Sequence, residues 1–249
     1  MDVHAPPRLL TQLATSTAEV RASQKLRYRV FKHELHAAIA DRDDAIDEDR
    51  FDAHCEHLLV RDTFNDNRIA GSYRLLPGER AERIGGFYSE TEFDLGDFAA
   101  ARRQCLEIGR ACVAPEYRGG TTLAMLWAGV VRYAMHHGYR YIIGCASVPA
   151  CAGESSVANL YHHLKTRHHA DVRVRPLAPM PLPTRLQPIE MTIPPLLLGY
   201  LRAGALIGGP PAWDPAFGCA DFFIVLPLAR MDARYARRLT RHNRALAAA

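Results

Sequence analysis

Lysine is scarce: it occurs only at Lys25, Lys32 and Lys165, so arginine carries almost all of the positive charge. No run of five or more basic residues appears and the formal net charge is a mild +4, which leaves out an extended nucleic-acid footprint. An acidic protein partner or an anionic membrane surface suits that balance. The six cysteines, Cys55, Cys105, Cys112, Cys145, Cys151 and Cys219, include no Cys-x-x-Cys pair and mostly sit in apolar runs. They read as reduced, buried thiols of a cytoplasmic protein. Residues 1–13 lack the charged-then-apolar pattern of a signal segment, and the longest apolar region, 193–213, is broken by Pro194, Pro195, Arg202 and Pro210, so neither reads as a membrane element. Twelve histidines raise the question of a metal, yet H-E-L-H at 33–36 and H-C-E-H at 54–57 both lack the i, i+4 pair of H-E-x-x-H, and no metal is expected. There is no internal repeat.

What is present is a chain of 249 residues with 48% apolar content, enough for a substantial core. Residues 8–15 read as a strand, and Ser16-x-x-Glu19 as a capping box opening a helix that runs to about Leu35. Arg27 lies one turn before Phe31 on that helix and reads as an arginine that snorkels to solvent. The acidic run 41–52 reads as a solvated loop, with a role beside a cationic substrate as the functional alternative. Two strand-like runs, 56–62 and 68–76, joined by T-F-N-D-N, predict a hairpin with Arg74 on its second strand. A loop with a short helix is expected over 77–101.

The centre of the chain is residues 103–122, R-Q-C-L-E-I-G-R-A-C-V-A-P-E-Y-R-G-G-T-T, followed by a helical stretch to His137. The pattern predicts a strand bearing Glu107 and Arg110, then a basic Gly-Gly loop. Arg118, Gly119 and Gly120 stand where a new helix exposes unpaired N–H groups, a place that favours a bound phosphate. Strict alternation would put Glu107 and Arg110 on opposite faces; a bulge near Gly109 would bring them to one side. A strand over 139–147 follows and predicts a parallel pair with the central strand. Beyond it come a helix over 154–169, a proline-dense segment over 176–195, a helix over 193–205, a strand over 221–228 and an arginine-rich peripheral tail. The fold class is α/β, in the mixed (α+β) sense.

Four motifs in order, L-R-Y-R-V-F, the acids before F-D, G-S-Y-R-L-L and E-I-G-R, make the sequence resemble the Gcn5-related N-acyltransferase (GNAT) superfamily, in the branch that contains the acyl-homoserine lactone synthases. Further along, F-Y-S-E-T-E-F-D-L, G-R-A-C-V-A-P-E-Y-R, Y-R-Y-I-I-G-C-A-S, G-Y-L-R-A-G-A and P-A-W-D-P-A-F are similar to the bacterial family of L-ornithine Nα-acyltransferases. The sequence departs from that family at Leu198 and Leu206, where lysines are expected, and from the superfamily's R-x-x-G-x-G/A at Thr121.

The resemblance implies a centrally splayed mixed sheet flanked by helices, with a catalytic core over 1–175 and a proline-rich C-terminal extension over 176–249 packed on the same domain. It implies transfer of a 3-hydroxy fatty acyl group from acyl carrier protein to the α-amine of L-ornithine, giving lyso-ornithine lipid. No tightly bound cofactor is implied; the carrier's acyl-phosphopantetheine is a co-substrate, and the inner-membrane surface is a further partner. Glu107 would take the amine's proton directly or through a water, Arg110 and Arg74 would hold the acceptor carboxylate, and Asp49, Asp52 or another residue of the acidic loop its side-chain ammonium, with Arg27 and Phe31 lining the same site. Cys112, Val113, Arg118, Gly119, Gly120 and Thr121 would receive the oxyanion and the phosphopantetheine, Tyr161 would stand near the leaving sulfur, and Arg118, Arg132 and Arg140 would meet the acidic carrier. The alternatives are a signal synthase, an N-acyltransferase for another amino acid, an acetyl-CoA-dependent N-acetyltransferase, and a non-catalytic acyl-carrier or membrane-surface binding protein.

Overall fold

The computed structural model describes residues 8–150, 153–188 and 191–231. Cys151 and the arginine-rich tail beyond Met231 lie outside the described residues. The fold is mixed α/β, and the chain divides into two compact units; the strand β5 (Cys105–Val113) contributes its first three residues to one and the remainder to the other.

In the first unit, β1 (Leu9–Leu13) and β2 (Glu56–Asp62) are antiparallel, and β2 turns back into β3 (Arg68–Pro77) as the expected hairpin. The sheet order is β1-β2-β3-β5. Helix α1 (Thr17–Tyr28) starts on Ser16, whose Oγ accepts from the Glu19 N–H at 3.3 Å. The Glu19 carboxylate reaches back one residue further than a capping box requires and accepts from the Thr15 N–H at 2.5 Å. The stretch expected as one helix to Leu35 changes pitch: Arg29–Glu34 is a π-helix, closed by the Leu35 N–H on the Val30 carbonyl. A local widening of this kind is typical of functional segments.

After α2 (Gly78–Arg83), which belongs to the second unit, the next helix is α3 (Thr121–His136) of the first unit. Its buried face, Leu126, Val130, Val131 and Ala134, lies on β1 and β2. Two glycines set the approach. A Cβ on Gly129 would come within 2.7 Å of Leu58, and one on Gly71 of β3 would come within 2.9 Å of Thr122 and 3.0 Å of the Cys112 carbonyl.

In the second unit the first residues of β5 run parallel to β6 (Tyr141–Pro149), pairing Glu107 with Ile143 at the last rung. Helix α4 (Glu154–Arg167) and helix α5 (Pro195–Ala203) follow, each ending within two residues of its expected end. Strand β7 (Arg175–Pro176) forms a small separate sheet with β4 (Phe93–Asp94). The C-terminal segment supplies β8 (Leu206–Ile207), β9 (Ala212–Asp214) and β10 (Cys219–Pro227), the last antiparallel to β6 along its whole length. No helix among the described residues is long and apolar enough to cross a membrane.

Gly71→Ala forces a methyl against a β-branched helix residue and a backbone carbonyl, and should cost about 1–3 kcal/mol in denaturant unfolding. An unchanged midpoint would contradict the close seating of α3.

Candidate active site

In the first unit, the acidic run is held by arginines from three elements. Arg27 of α1 binds Asp47 through Nε at 2.8 Å and pairs with Asp52 at 2.8 Å. Arg74 of β3 reaches Asp49 at 2.6 Å and Asp52 at 3.0 Å. Arg110 of β5 lies 3.4 Å from Asp47 and 3.3 Å from Asp49. Arg27 is only 1% exposed and Asp47 and Asp52 are 5% exposed each, so Arg27 does not snorkel to solvent and this end of the run is not a solvated loop. The correction has one physical cause: each buried charge has a counter-charge within contact distance. Burial alone would raise the Asp52 carboxyl, but the charges of Arg27 and Arg74 outweigh it and hold it far below the usual range. Burial lowers the neighbouring His57, whose Nε2 lies 3.1 Å from the Asp52 carbonyl. Phe31 is buried in the π-helix, and Phe51 packs under Arg74 with the guanidinium carbon 5.7 Å from its ring centre. Arg110 and Asp49, 15% and 24% exposed, are the edge of the network that solvent reaches.

Arg110 has φ +52°, a left-handed conformation that a long side chain adopts only when its surroundings hold it. Strict alternation is therefore broken beside Gly109, at Arg110. Downstream, Gly119 (φ +146°) and Gly120 (φ +95°) lead into α3, and nothing lies within 4 Å of where a Cβ would stand on either. The first N–H groups of that helix have no intrahelical partner. Arg118 grips Glu34 through its two terminal guanidinium nitrogens, and also donates to the Val113 carbonyl at 3.3 Å. Cys112 is buried, its thiol pushed up to about 12 by burial. Arg132 on α3 is partly buried, and burial lowers it.

In the second unit, Glu107 is 4% exposed and receives three donors: the N–H of Tyr88 at 2.8 Å, the N–H of Ser89 at 2.7 Å and the Ser89 hydroxyl at 2.5 Å. The two backbone donors belong to the 3₁₀ turn Tyr88–Thr91, so chain geometry rather than a flexible side chain aims the carboxylate. Tyr161 on α4 is half-buried, with its ring 6.4 Å from that of Phe222 and Lys165 Nζ 5.9 Å above it. Burial raises its hydroxyl. Phe222 and Asp221 alternate across β10, so Tyr161 stands on the face away from Asp221. Arg140 donates to Gln104 at 3.0 Å on the surface. The motif F-Y-S-E-T-E-F-D-L does not by itself show that Ser89 holds Glu107, and the acidic run does not single out Asp47 among its carboxylates. Both roles come from contacts between residues distant in sequence.

A family model described as an acetyltransferase (GNAT) domain matches residues 26–128. An L-ornithine N(alpha)-acyltransferase of Rhizobium meliloti is 39% identical over 91% of this chain and 82% of its own. One of Brucella abortus is 39% identical over 91% and 87%. The chain belongs to the L-ornithine N(alpha)-acyltransferase family. Among solved structures, a CoA-dependent acyl-homoserine lactone synthase superposes with a TM-score of 0.59 at 14% identity, over 94% of this chain and 89% of that one, a likeness of fold. An N-acyl amino acid synthase from uncultured soil microbes does so with a TM-score of 0.54 at 10% identity, over 91% and 95%. Of the two departures from the family's lysines, Leu206 is buried on β8, and Leu198 is half-buried on α5.

The arginine–aspartate network predicts how this family member responds to acid. Asp52 is depressed in the folded state, so its contribution is complete above its unfolded value near pH 4 and is lost as pH falls below it. Asp52→Asn should cost about 3–5 kcal/mol at pH 7, because Arg27 and Arg74 lose a buried counter-charge, and should flatten the acid limb of the stability curve. Denaturant unfolding of both proteins between pH 3 and pH 7, a window set by the ordinary carboxylate range, checks this. Equal stabilities at pH 7 would contradict it.

Proposed function

We propose that this chain transfers a 3-hydroxy fatty acyl group from acyl carrier protein to the α-amine of L-ornithine, releasing lyso-ornithine lipid and the carrier thiol. The observation that carries the reading is the 39% identity to a named L-ornithine N(alpha)-acyltransferase over 91% of this chain. The site chemistry agrees with it. Acyl transfer to an amine needs a base for the ammonium proton, donors for the tetrahedral oxyanion and a proton for the departing thiolate.

Glu107 is assigned the first task, directly or through one water; its three donors fix the carboxylate in position before the acceptor arrives. The amine then attacks the thioester carbon, the oxyanion forms against backbone N–H groups at Cys112 and Val113, and the C–S bond breaks as the carbonyl re-forms. The departing thiolate takes up a proton; Tyr161, expected near the leaving sulfur, keeps its phenol protonated through burial but stands on the sheet face opposite Glu107 and is assigned no step. The open backbone at Gly119, Gly120 and Thr121 is assigned to the phosphopantetheine phosphate. Arg110, at the exposed edge of the network, remains for the acceptor carboxylate, while Arg27, Arg74, Asp49, Asp52 and Phe31 hold that edge from behind. An amphiphilic product suits work at the inner membrane surface.

The test is a purified assay that offers acyl carrier protein and CoA thioesters with L-ornithine and reads the product by mass spectrometry. Lyso-ornithine lipid should form preferentially from the carrier thioester. Glu107→Gln should fold normally and lower kcat by about 10²–10⁴-fold. Unchanged turnover at saturating substrate would reduce Glu107 to a structural partner of Ser89.

A further inference from the structure

The face of the second unit's sheet that carries Glu107 holds more carboxyl groups than the reaction above uses. Register fixes their placement. Glu107 pairs with Ile143, alternation puts Cys145 and Ser147 of β6 on the same face as Ile143, and Ser147 stands directly opposite Asp221 of β10. The turn that holds Glu107 covers this face: Ser89 Oγ, which donates to Glu107, accepts from Cys145 Sγ at 3.6 Å. Glu92, the residue after that turn, brings its carboxyl beside Cys145, Asp221 and Tyr88.

Glu92 is unlike any aspartate of the network in the first unit. Both of its carboxylate oxygens are enclosed, and neither has a hydrogen-bond partner. Tyr88, Asp221 and Cys145 act on it as hydrogen-bonding neighbours, yet none is close and aligned enough to satisfy either oxygen. Asp221 is 2% exposed, and the groups acting on it besides Glu92 are Ser147, Asp214 and Cys219. None of these neighbours is a cation. Burial and the charge of Asp221 push the Glu92 carboxyl up to about 8, and burial raises Asp221 as well. Two enclosed acids without a counter-charge are costly, and such an arrangement marks a place where a ligand completes the coordination. A bound metal is a poorer fit: Asp214 Oδ1 is already taken by the N–H groups of Ala216 and Phe217, and burial raises the Cys219 thiol, which keeps it protonated.

We propose that Glu92 and Asp221 form the subsite for the side-chain ammonium of the acceptor, and that this subsite selects a diamino acid over the monoamino acid of the same length. The inference rests on the acyl-acceptor reading above. Glu107, Ser89, Cys145 and Glu92 form one short polar row with an acid at each end, and ornithine carries an amine at each end of a short carbon chain. An ammonium group brings both the positive charge that the pair lacks and the donors that the Glu92 oxygens lack. The α-amine is thereby left at the Glu107 end of the row.

The test uses the full-length enzyme with one acyl donor and two acceptors, L-ornithine and L-norvaline, which differ only in the terminal amine. Wild-type kcat/KM should favour ornithine by about 10²-fold or more, since a site built for a polar group rejects the analogue that lacks it. Glu92→Gln and Asp221→Asn should each shrink that ratio to below about tenfold, with the ornithine loss carried mainly in KM. A wild-type ratio near one overturns the inference without recourse to any variant, and so does an undiminished ratio in both variants when their unfolding midpoints match wild type. If the wild-type enzyme acylates neither amino acid, the ornithine-acyltransferase reading itself fails and takes the inference with it.

Discussion

The first unit depends on the charge balance between Arg27, Arg74 and Arg110 and the carboxylates of Asp47, Asp49 and Asp52. The segment that bears these aspartates has few apolar anchors, Ile46 and Phe51 being buried, so ionic contact does what hydrophobic burial does elsewhere. The arrangement tolerates burial because positive and negative groups alternate through it. Removing one member leaves another charge enclosed and unpaired, and the cost of that exceeds what the intact pair contributes. The network also supports a strained point of the backbone. Arg110 keeps φ +52° while its guanidinium is tied to two aspartates, and it lies three residues after Glu107 on the same strand.

The second unit treats its acids differently. Glu107 receives donors from the backbone and a hydroxyl. Glu92 and Asp221 receive neither a cation nor a full set of donors. A protein that equips three aspartates with arginines in one unit, and surrounds Glu92 and Asp221 of the other with neutral or acidic groups, has the means to neutralise acids and has not used it there. That contrast separates the acids that hold the fold from the acids available to a cationic acceptor.

Much of this was legible in the sequence, because local signals sufficed. Two strand-like runs joined by T-F-N-D-N mark β2 and β3, β-formers bounded by a glycine and a proline mark β6, and Gly-Gly before a long apolar helix marks the start of α3. The break in alternation near Gly109 followed from requiring a strand to aim two charges. The π-helix did not show, since its residues have ordinary helical spacing and the change of pitch is a matter of hydrogen-bond register. Nor did the burial of Asp47 and Asp52: an acidic run reads as solvated until the arginines of three distant elements are seen to converge on it. Ser89 and Glu92 stood in a motif that could be quoted but not interpreted, because the partners that give them meaning, Glu107 and Asp221, lie 18 residues away for Ser89 and on a C-terminal strand for Glu92.

The central claim is that the acceptor is oriented by its two amines, the α-amine toward Glu107 and the terminal ammonium between Glu92 and Asp221. Its most direct test is the regiochemistry of the product made from L-ornithine labelled with nitrogen-15 at the terminal amine alone, read by tandem mass spectrometry. The account predicts that the amide nitrogen is unlabelled in essentially all of the product. A labelled amide, or a mixture of the two isomers, would contradict it.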